Sequence, residues 1–234
     1  MKIKFFILSL LLILMVFTVT FSSINNNNRL VQINQSNLSD SISMISKDSI
    51  INYLKLLDVI KDSMYVGNLD LFNIEKNIDN IDYVKDSNVF IGINSSLEIE
   101  INERIPVIEL KNLNVYLDRD GTIVPKSKIN KPETIKFFGN IDSTNYRKIS
   151  NLGSLIINDE FLNHHIKYIF SDSKEIFIKS KNHGYNIQLG SLEMFKTKLL
   201  NYKFFYVTKY DKDIISQIEK INLKFENQVI VEKK

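Results

Sequence analysis

The sequence predicts an α+β protein: one N-terminal transmembrane helix, a unit of two helices on a small mixed sheet, and a C-terminal β domain with flanking helices. Three observations predict this architecture. Residues 5–21 carry no charge. The apolar residues then recur at a period that changes from about 3.6 to about 2 between residues 47 and 102. Beyond Pro106 the chain consists mostly of short strand-like segments separated by turns.

The composition excludes several classes of protein. The chain has 234 residues, of which 44% are hydrophobic, so it can bury a core and is not a wholly disordered chain. It has no cysteine, which excludes a disulfide framework, thiol catalysis and a cysteine zinc site. The net charge of +3 argues against a nucleic-acid binder that depends on basic excess.

The N-terminal apolar run indicates a membrane anchor. Lys2 and Lys4 precede it, and the serines at its end extend the span to residues 5–23. Positive charge before the span places residues 1–4 in the cytoplasm and the rest of the chain outside. The alternative is a cleavable signal peptide, for which the best cleavage candidate, at residues 20–22, fits the small-residue pattern poorly.

The segment of residues 24–104 is predicted to be the compact unit of two helices and a sheet. Ser46 and Asp70 can each cap a helix whose apolar residues recur at helical spacing. Apolar and polar residues then alternate, as in a hairpin with one buried face. The elements expected in order are a strand at 30–33, a helix at 47–57, a helix from residue 71, and a hairpin that opens at Val89, turns at 94–96 and returns over 97–102.

Residues 105–234 are predicted to be the β domain. Its turns and alternating segments predict mainly strands, with helices where the apolar spacing lengthens. The expected strands are 107–110, 115–117, 122–125, 135–138, 155–157, 175–180, 186–189 and a closing strand at 221–231, and the expected helices are 161–170, 192–205 and 211–219. The closing strand is also a candidate for binding another chain by backbone pairing, although an ordinary interior strand explains the pattern equally well.

No catalytic or metal-binding constellation stands out. His164 and His165 are adjacent, so on a helix they point about 100° apart and cannot easily share one metal ion. The segment of residues 118–121 is interpreted as a turn between strands, because a calcium loop would need further oxygen ligands. Glu98 and Glu100 are interpreted as the solvated face of a strand. A membrane-tethered pair of small domains without such a site typically binds other proteins.

Four segments in the same order resemble the FtsQ/DivIB cell division protein family, most of all its Bacteroidetes type. They are residues 97–107, which end in Glu-Arg-Ile-Pro-Val; residues 115–125, with Tyr-Leu-Asp, Asp-Gly and proline; residues 187–190, followed by 198–199; and residues 221–231. The resemblance covers nearly the whole chain. It implies a short cytoplasmic end, one transmembrane helix, a POTRA domain within residues 24–104 and a β domain at 105–234.

The resemblance also implies a function. Members of this family are bitopic inner-membrane proteins without enzymatic activity, with the bulk of the chain in the periplasm at the division site. They bind FtsB- and FtsL-like small coiled-coil proteins and help recruit and control septal peptidoglycan synthesis. We therefore expect no cofactor, metal, nucleic acid or small-molecule substrate.

The resemblance implies specific contact residues. In the family, a partner adds a strand along the closing strand of the β domain, and the matching positions here are Phe225, Asn227, Gln228 and Val229. Val89 is the matching candidate in the POTRA domain, which is implicated in recruitment to the division site. Two other functions stay open at this point: a secreted or periplasmic hydrolase with a cleaved leader, and a POTRA protein of outer-membrane assembly.

Overall fold

A computed structural model describes residues 2–39, 42–92, 96–208, 215–225 and 228–234. The chain divides into two compact units, the first ending at Glu103 and the second beginning at Arg104. Each unit has a hydrophobic core of its own. The predicted α+β class, with an apolar N-terminal helix and a large C-terminal sheet, is confirmed.

The first helix, α1 (Lys2–Asn27), is long and apolar enough to cross a membrane. At 26 residues it is about 39 Å long, more than the ~30 Å of a hydrocarbon core. Its described side chains are exposed. The hydroxyls of Ser9, Thr18 and Thr20 donate to backbone carbonyls one turn earlier, so these polar residues are compatible with an apolar surrounding.

The rest of the first unit packs two helices against two pairs of antiparallel strands. The elements are β1 (Leu30–Gln32), α2 (Lys47–Leu56), β2 (Ser63–Tyr65), α3 (Leu71–Asp79), β3 (Val84–Ile91) and β4 (Leu97–Glu103). Strand β1 pairs with β2, and β3 pairs with β4. A single parallel bridge between Leu38 and Ile99 joins the chain after β1 to β4.

The local signals predicted for this unit are largely confirmed. The Ser46 and Asp70 side chains accept hydrogen bonds from the first turns of α2 and α3. Strand β4 alternates between buried and exposed residues, as predicted. The other strand, β3, begins at Val84 and not at Val89. The sequence did not predict its first half because residues 85–88 are all polar, so polar and apolar residues do not alternate there. The predicted turn lies partly outside the described residues.

The second unit is built on one sheet of nine described strands. They are β5 (Pro106–Leu110), β6 (Val115–Asp118), β7 (Ile123–Val124), β8 (Ile135–Phe138), β9 (Ile166–Asp172), β10 (Glu175–Ser180), β11 (Asn186–Gly190), β12 (Ile218–Asn222) and β13 (Ile230–Lys233). Their order is β13-β12-β11-β10-β9-β8-β5-β6-β7. The pairs β5–β8, β8–β9 and β11–β12 are parallel, and the others are antiparallel.

Three of the helices described in this unit are α4 (Tyr146–Asn158), α5 (Glu160–His165) and α6 (Phe195–Thr208), and all three contribute to its core. Helix α4 buries Ile149, Leu152 and Ile156 completely. Helix α6 contributes Leu199 and Tyr202 to the same core. In β8 buried residues alternate with exposed ones, as expected for a strand covered on one face only.

Two predicted elements in this unit are wrong in type. Residues 155–157 were expected to form a strand but end α4, because Ile149, Leu152 and Ile156 recur at spacings of 3 and 4 and form one buried helical stripe. The helix expected at 161–170 stops at His165, and the chain continues as β9 between β8 and β10.

Three other expectations have different bounds. Helix α6 begins at Phe195 and not at 192, because Met194 has a φ of +51°, outside the helical region. Of the helix expected at 211–219, residues 211–214 lie outside the described residues and the last residues belong to β12. The single closing strand expected at 221–231 is two antiparallel strands, β12 and β13, separated by a segment in which all residues from 224 to 228 except Phe225 are polar.

Candidate functional site

The last two strands form a hairpin at one edge of the C-terminal sheet. Strand β12 pairs in parallel with β11, which attaches the hairpin to the rest of the sheet. Strand β13 pairs with β12, and within the described part of the chain it has no neighbour on its other side. An edge strand exposes a row of unpaired N–H and C=O groups, which another strand can bind.

The register of the hairpin shows which groups point outward. Lys220 is opposite Glu232, and Ile221 is opposite Val231. The N–H of Lys234 donates to the carbonyl of Gln217 at 2.9 Å, toward β12. Because successive N–H groups alternate in direction along a strand, those of Val231 and Lys233 point to the open edge.

The side chains of β13 hold it against the sheet. Val231 and the preceding Val229 are partly buried against the core of this unit. The Lys220 ammonium and the Glu232 carboxylate form an ion pair across the hairpin at 2.9 Å. Ile230 is 40% exposed. The strand is therefore fixed by packing on one side and presents backbone on the other.

The bend after β12 is held to the neighbouring strands by Lys224. Its backbone N–H donates to the Asn222 side chain at 3.0 Å, and its ammonium donates to Glu175 at 2.6 Å. The hydrogen bonds from Lys224 and then Gln188 lower the pKa of the Glu175 carboxyl below its ordinary value. The Lys224 stem lies against Gly190, which has a φ of +73° and no side chain to obstruct it.

The predicted contact residues of the closing segment lie on this bend and hairpin. Phe225 is 53% exposed, Gln228 is exposed, and Val229 is half-buried. Asn227 lies outside the described residues. Ile221 and Leu223 are fully buried whereas Phe225 is exposed, so the chain turns between Leu223 and Phe225.

Val89 lies inside the first unit. Its side chain is 5% exposed, and its backbone N–H donates to the Glu75 carboxylate of α3 at 2.8 Å. The Val89 side chain is therefore part of the packing of the first unit and not a surface contact.

Sequence reasoning missed the strand that forms the edge. It predicted one closing strand over 221–231 with side-chain contacts at Phe225, Asn227, Gln228 and Val229, and did not separate β13, whose Val231 and Lys233 present the outward N–H groups. The available signal was the run from Lys224 to Gln228, in which every residue except Phe225 is charged or an amide, as is common in turns.

The histidines of the second unit make packing and hydrogen-bonding contacts. The rings of His165 and Phe161 stack with centroids 4.0 Å apart, and the Nε2 atom of His183 lies 3.1 Å from the Tyr206 hydroxyl. Burial, and then the neighbouring His165, lower the pKa of His183 below its ordinary value. Among the described residues, no three His, Asp or Glu side chains are grouped to hold a metal ion.

One family model matches the chain. The model is described as FtsQ/DivIB, C-terminal related, and it matches residues 105–231, which is more than half of the 234 residues. The matched segment includes the whole of β12 and the first half of β13. No curated protein matches the chain.

Proposed function

Because the chain belongs to the FtsQ/DivIB family of cell division proteins, we propose that it is a non-enzymatic scaffold of the divisome that acts during assembly of the division septum. Helix α1 fits a single-pass membrane protein. In the proposed arrangement it spans the inner membrane with its N-terminus in the cytoplasm, and the chain from residue 28 onward, with the rest of the first unit and the whole second unit, lies in the periplasm. The protein then works by binding other proteins and not by chemistry.

One observation carries the proposal: the open backbone edge of β13. A partner strand that pairs along this edge gains backbone hydrogen bonds from the N–H groups of Val231 and Lys233, while side chains beside the edge provide specificity. The partners proposed are FtsB- and FtsL-like coiled-coil proteins, and through them the septal peptidoglycan synthase. Phe225, Asn227, Gln228 and Val229 are the proposed side-chain contacts.

The first unit is proposed to be the POTRA domain that brings the protein to the division site. Two helices on paired strands, within a core separate from that of the second unit, support this assignment. In this proposal Val89 supports recruitment indirectly by holding β3 against α3, since its N–H donates a hydrogen bond to the Glu75 carboxylate of α3.

A substitution at Val231 tests the backbone pairing. Val231→Pro removes an outward N–H and leaves the inward ladder to β12 intact, as proline does on edge strands. Val231→Ala is the matched control, because it removes the same packing and keeps the N–H. We expect co-purification with the FtsB-like partner to be lost for the proline variant and retained for the alanine variant. Equal binding by both variants would exclude pairing along this edge.

Two side-chain variants test the contacts beside the edge. Phe225→Ala removes a half-exposed aromatic ring, and Val229→Asp places a charge on a side chain that is half-buried against the second unit beside the edge. Each is expected to weaken partner binding by about tenfold or more and to leave the first unit folded. Wild-type binding by both variants would remove these residues from the interface.

A further inference from the structure

Helix α6 is apolar on two sides. One side carries Leu199, Tyr202 and Tyr206, which are buried in the core of the second unit. The other side carries large apolar residues at positions i, i+4 and i+7, and the described residues leave them exposed: Leu200 by 51%, Phe204 by 62% and Val207 by 66%. A surface helix normally has one apolar stripe and one polar face, so the second stripe is a feature that folding of this unit does not require.

The exposed stripe forms one wall of a groove. Leu155 at the end of α4 and Leu162 of α5 form the opposite wall, and the groove has a volume of about 400 Å³. Its lining is mostly apolar and also includes three charged side chains, those of Lys196, Lys203 and Asp159. A groove of this kind between helices accepts the apolar side chains of a further helix at i, i+3, i+4 and i+7 spacing.

The lining of the groove carries two lysines, Lys196 and Lys203, and one carboxylate, Asp159, so one positive charge is in excess. Helix α6 contains lysines and no acidic residue. Lys203 is paired with Asp159 at 3.0 Å. The Asp159 carboxylate also accepts a hydrogen bond from the N–H of Leu162, and these two interactions hold its side chain in place. Lys196 is exposed, and no ion pair joins it to an acidic residue among those described.

From the two apolar stripes and this charge we propose that the groove between α6 and the α4–α5 corner docks an amphipathic helix of another protein, with acidic residues flanking its apolar stripe. A second copy of this chain fits poorly, because α6 against α6 would bring lysines together. A flat anionic membrane fits poorly too, because the apolar surface is concave and the Asp159 carboxylate is part of its lining. None of the residues that line the groove belongs to β13.

A binding experiment with a defined peptide tests this proposal. The probe is a fluorescent synthetic helix with leucine at heptad positions a and d and glutamate on both flanks. Its anisotropy is titrated with the full chain in phosphatidylcholine nanodiscs, with empty nanodiscs as background. We expect saturable binding that Phe204→Ser weakens by about tenfold or more. Phe72→Ser is the matched control, because Phe72 is an exposed phenylalanine of the first unit, and it should bind as wild type.

The charge part of the proposal has its own test. Lys196→Glu should weaken binding of the glutamate-flanked peptide and strengthen binding of a lysine-flanked version, and added salt should reduce both effects. Val231→Pro should leave peptide binding unchanged, which separates this groove from the edge of β13. No saturable binding, or equal binding by wild type and Phe204→Ser, would overturn the proposal. So would displacement of the peptide by phosphatidylglycerol vesicles, or a dimer that Phe204→Ser dissociates.

Discussion

At the scale of single residues, Glu109 shows how a buried charge is accommodated in the second unit. It lies in β5 and is 3% exposed, and its carboxylate accepts from the Lys126 ammonium at 2.6 Å and the Lys111 ammonium at 3.0 Å. Burial opposes its ionisation, but the two lysines outweigh burial, so the pKa of Glu109 lies below its ordinary value. The ionised form therefore stabilises the fold at neutral pH, and this contribution is lost as the pH falls through the lowered pKa.

Glu109→Gln should reduce the free energy of unfolding at pH 7 by about 1–3 kcal/mol. The loss stays below that of a fully buried pair because both lysines are about one-third exposed and can reach water. The difference from wild type should shrink near pH 4. Urea unfolding of the full chain in detergent, followed by tyrosine fluorescence at both pH values, measures it.

The control for this prediction is Glu193→Gln, because Glu193 pairs with Lys148 on the surface, where its side chain is 68% exposed. Exposed pairs contribute little to stability, so this variant should unfold as wild type does. An equal loss in both variants would show that burial of Glu109 does not matter.

At the scale of elements, the sequence correctly predicted those features that depend only on residues close together in the chain. The caps at Ser46 and Asp70 and the alternation in β4 depend on neighbours in sequence, and all three are confirmed. Residues 155–157 were misread because a run of three apolar residues has no period, and only the spacing back to Ile149 identifies a helix. The reversal between β12 and β13 was missed because alternation gives the face of a strand but not its direction or partner.

Gly190 links the edge hairpin to the strands beside it, and this gives an element-scale prediction. A Cβ at Gly190 would lie 2.8 Å from the Lys224 Cγ, at a φ of +73°. Gly190→Ala should therefore destabilise the second unit by more than the ~1–2 kcal/mol that a left-handed alanine costs. It should also displace Lys224 and raise the pKa of Glu175 toward its ordinary value, which NMR titration of the carboxyl measures.

Gly184→Ala separates the two effects of that substitution. Gly184 has a similar φ of +72°, but a Cβ there meets nothing within 4 Å. Gly184→Ala should lose only the free energy of unfolding that a left-handed alanine costs, and it should leave the pKa of Glu175 unchanged. If the two alanine variants behave alike, contact between Gly190 and Lys224 does not hold the hairpin.

At the scale of the whole molecule, the two compact units have different proposed roles: recruitment for the first and partner binding for the second. The unit that begins at Arg104 carries the family match and the open edge, while the first unit has its own core. Substitutions at β13 should therefore leave the first unit folded. The candidate edge depends on strand order, which no single segment of the sequence specifies.

The anchor makes a prediction that belongs to the whole chain. If α1 confines the protein and its membrane-bound partner to one plane, it raises their effective concentration without adding a contact. Replacing residues 2–27 by a cleaved export signal should then sharply reduce co-purification at native expression levels. Replacing them by an unrelated apolar helix should preserve it.

The affinity of the exported part for the exported part of the partner should be the same in all three forms, because β13 is unchanged. A soluble form that assembles as well as the anchored one would show that the membrane contributes nothing to partner binding, and N-terminal sequencing of the wild-type membrane fraction should find α1 still attached.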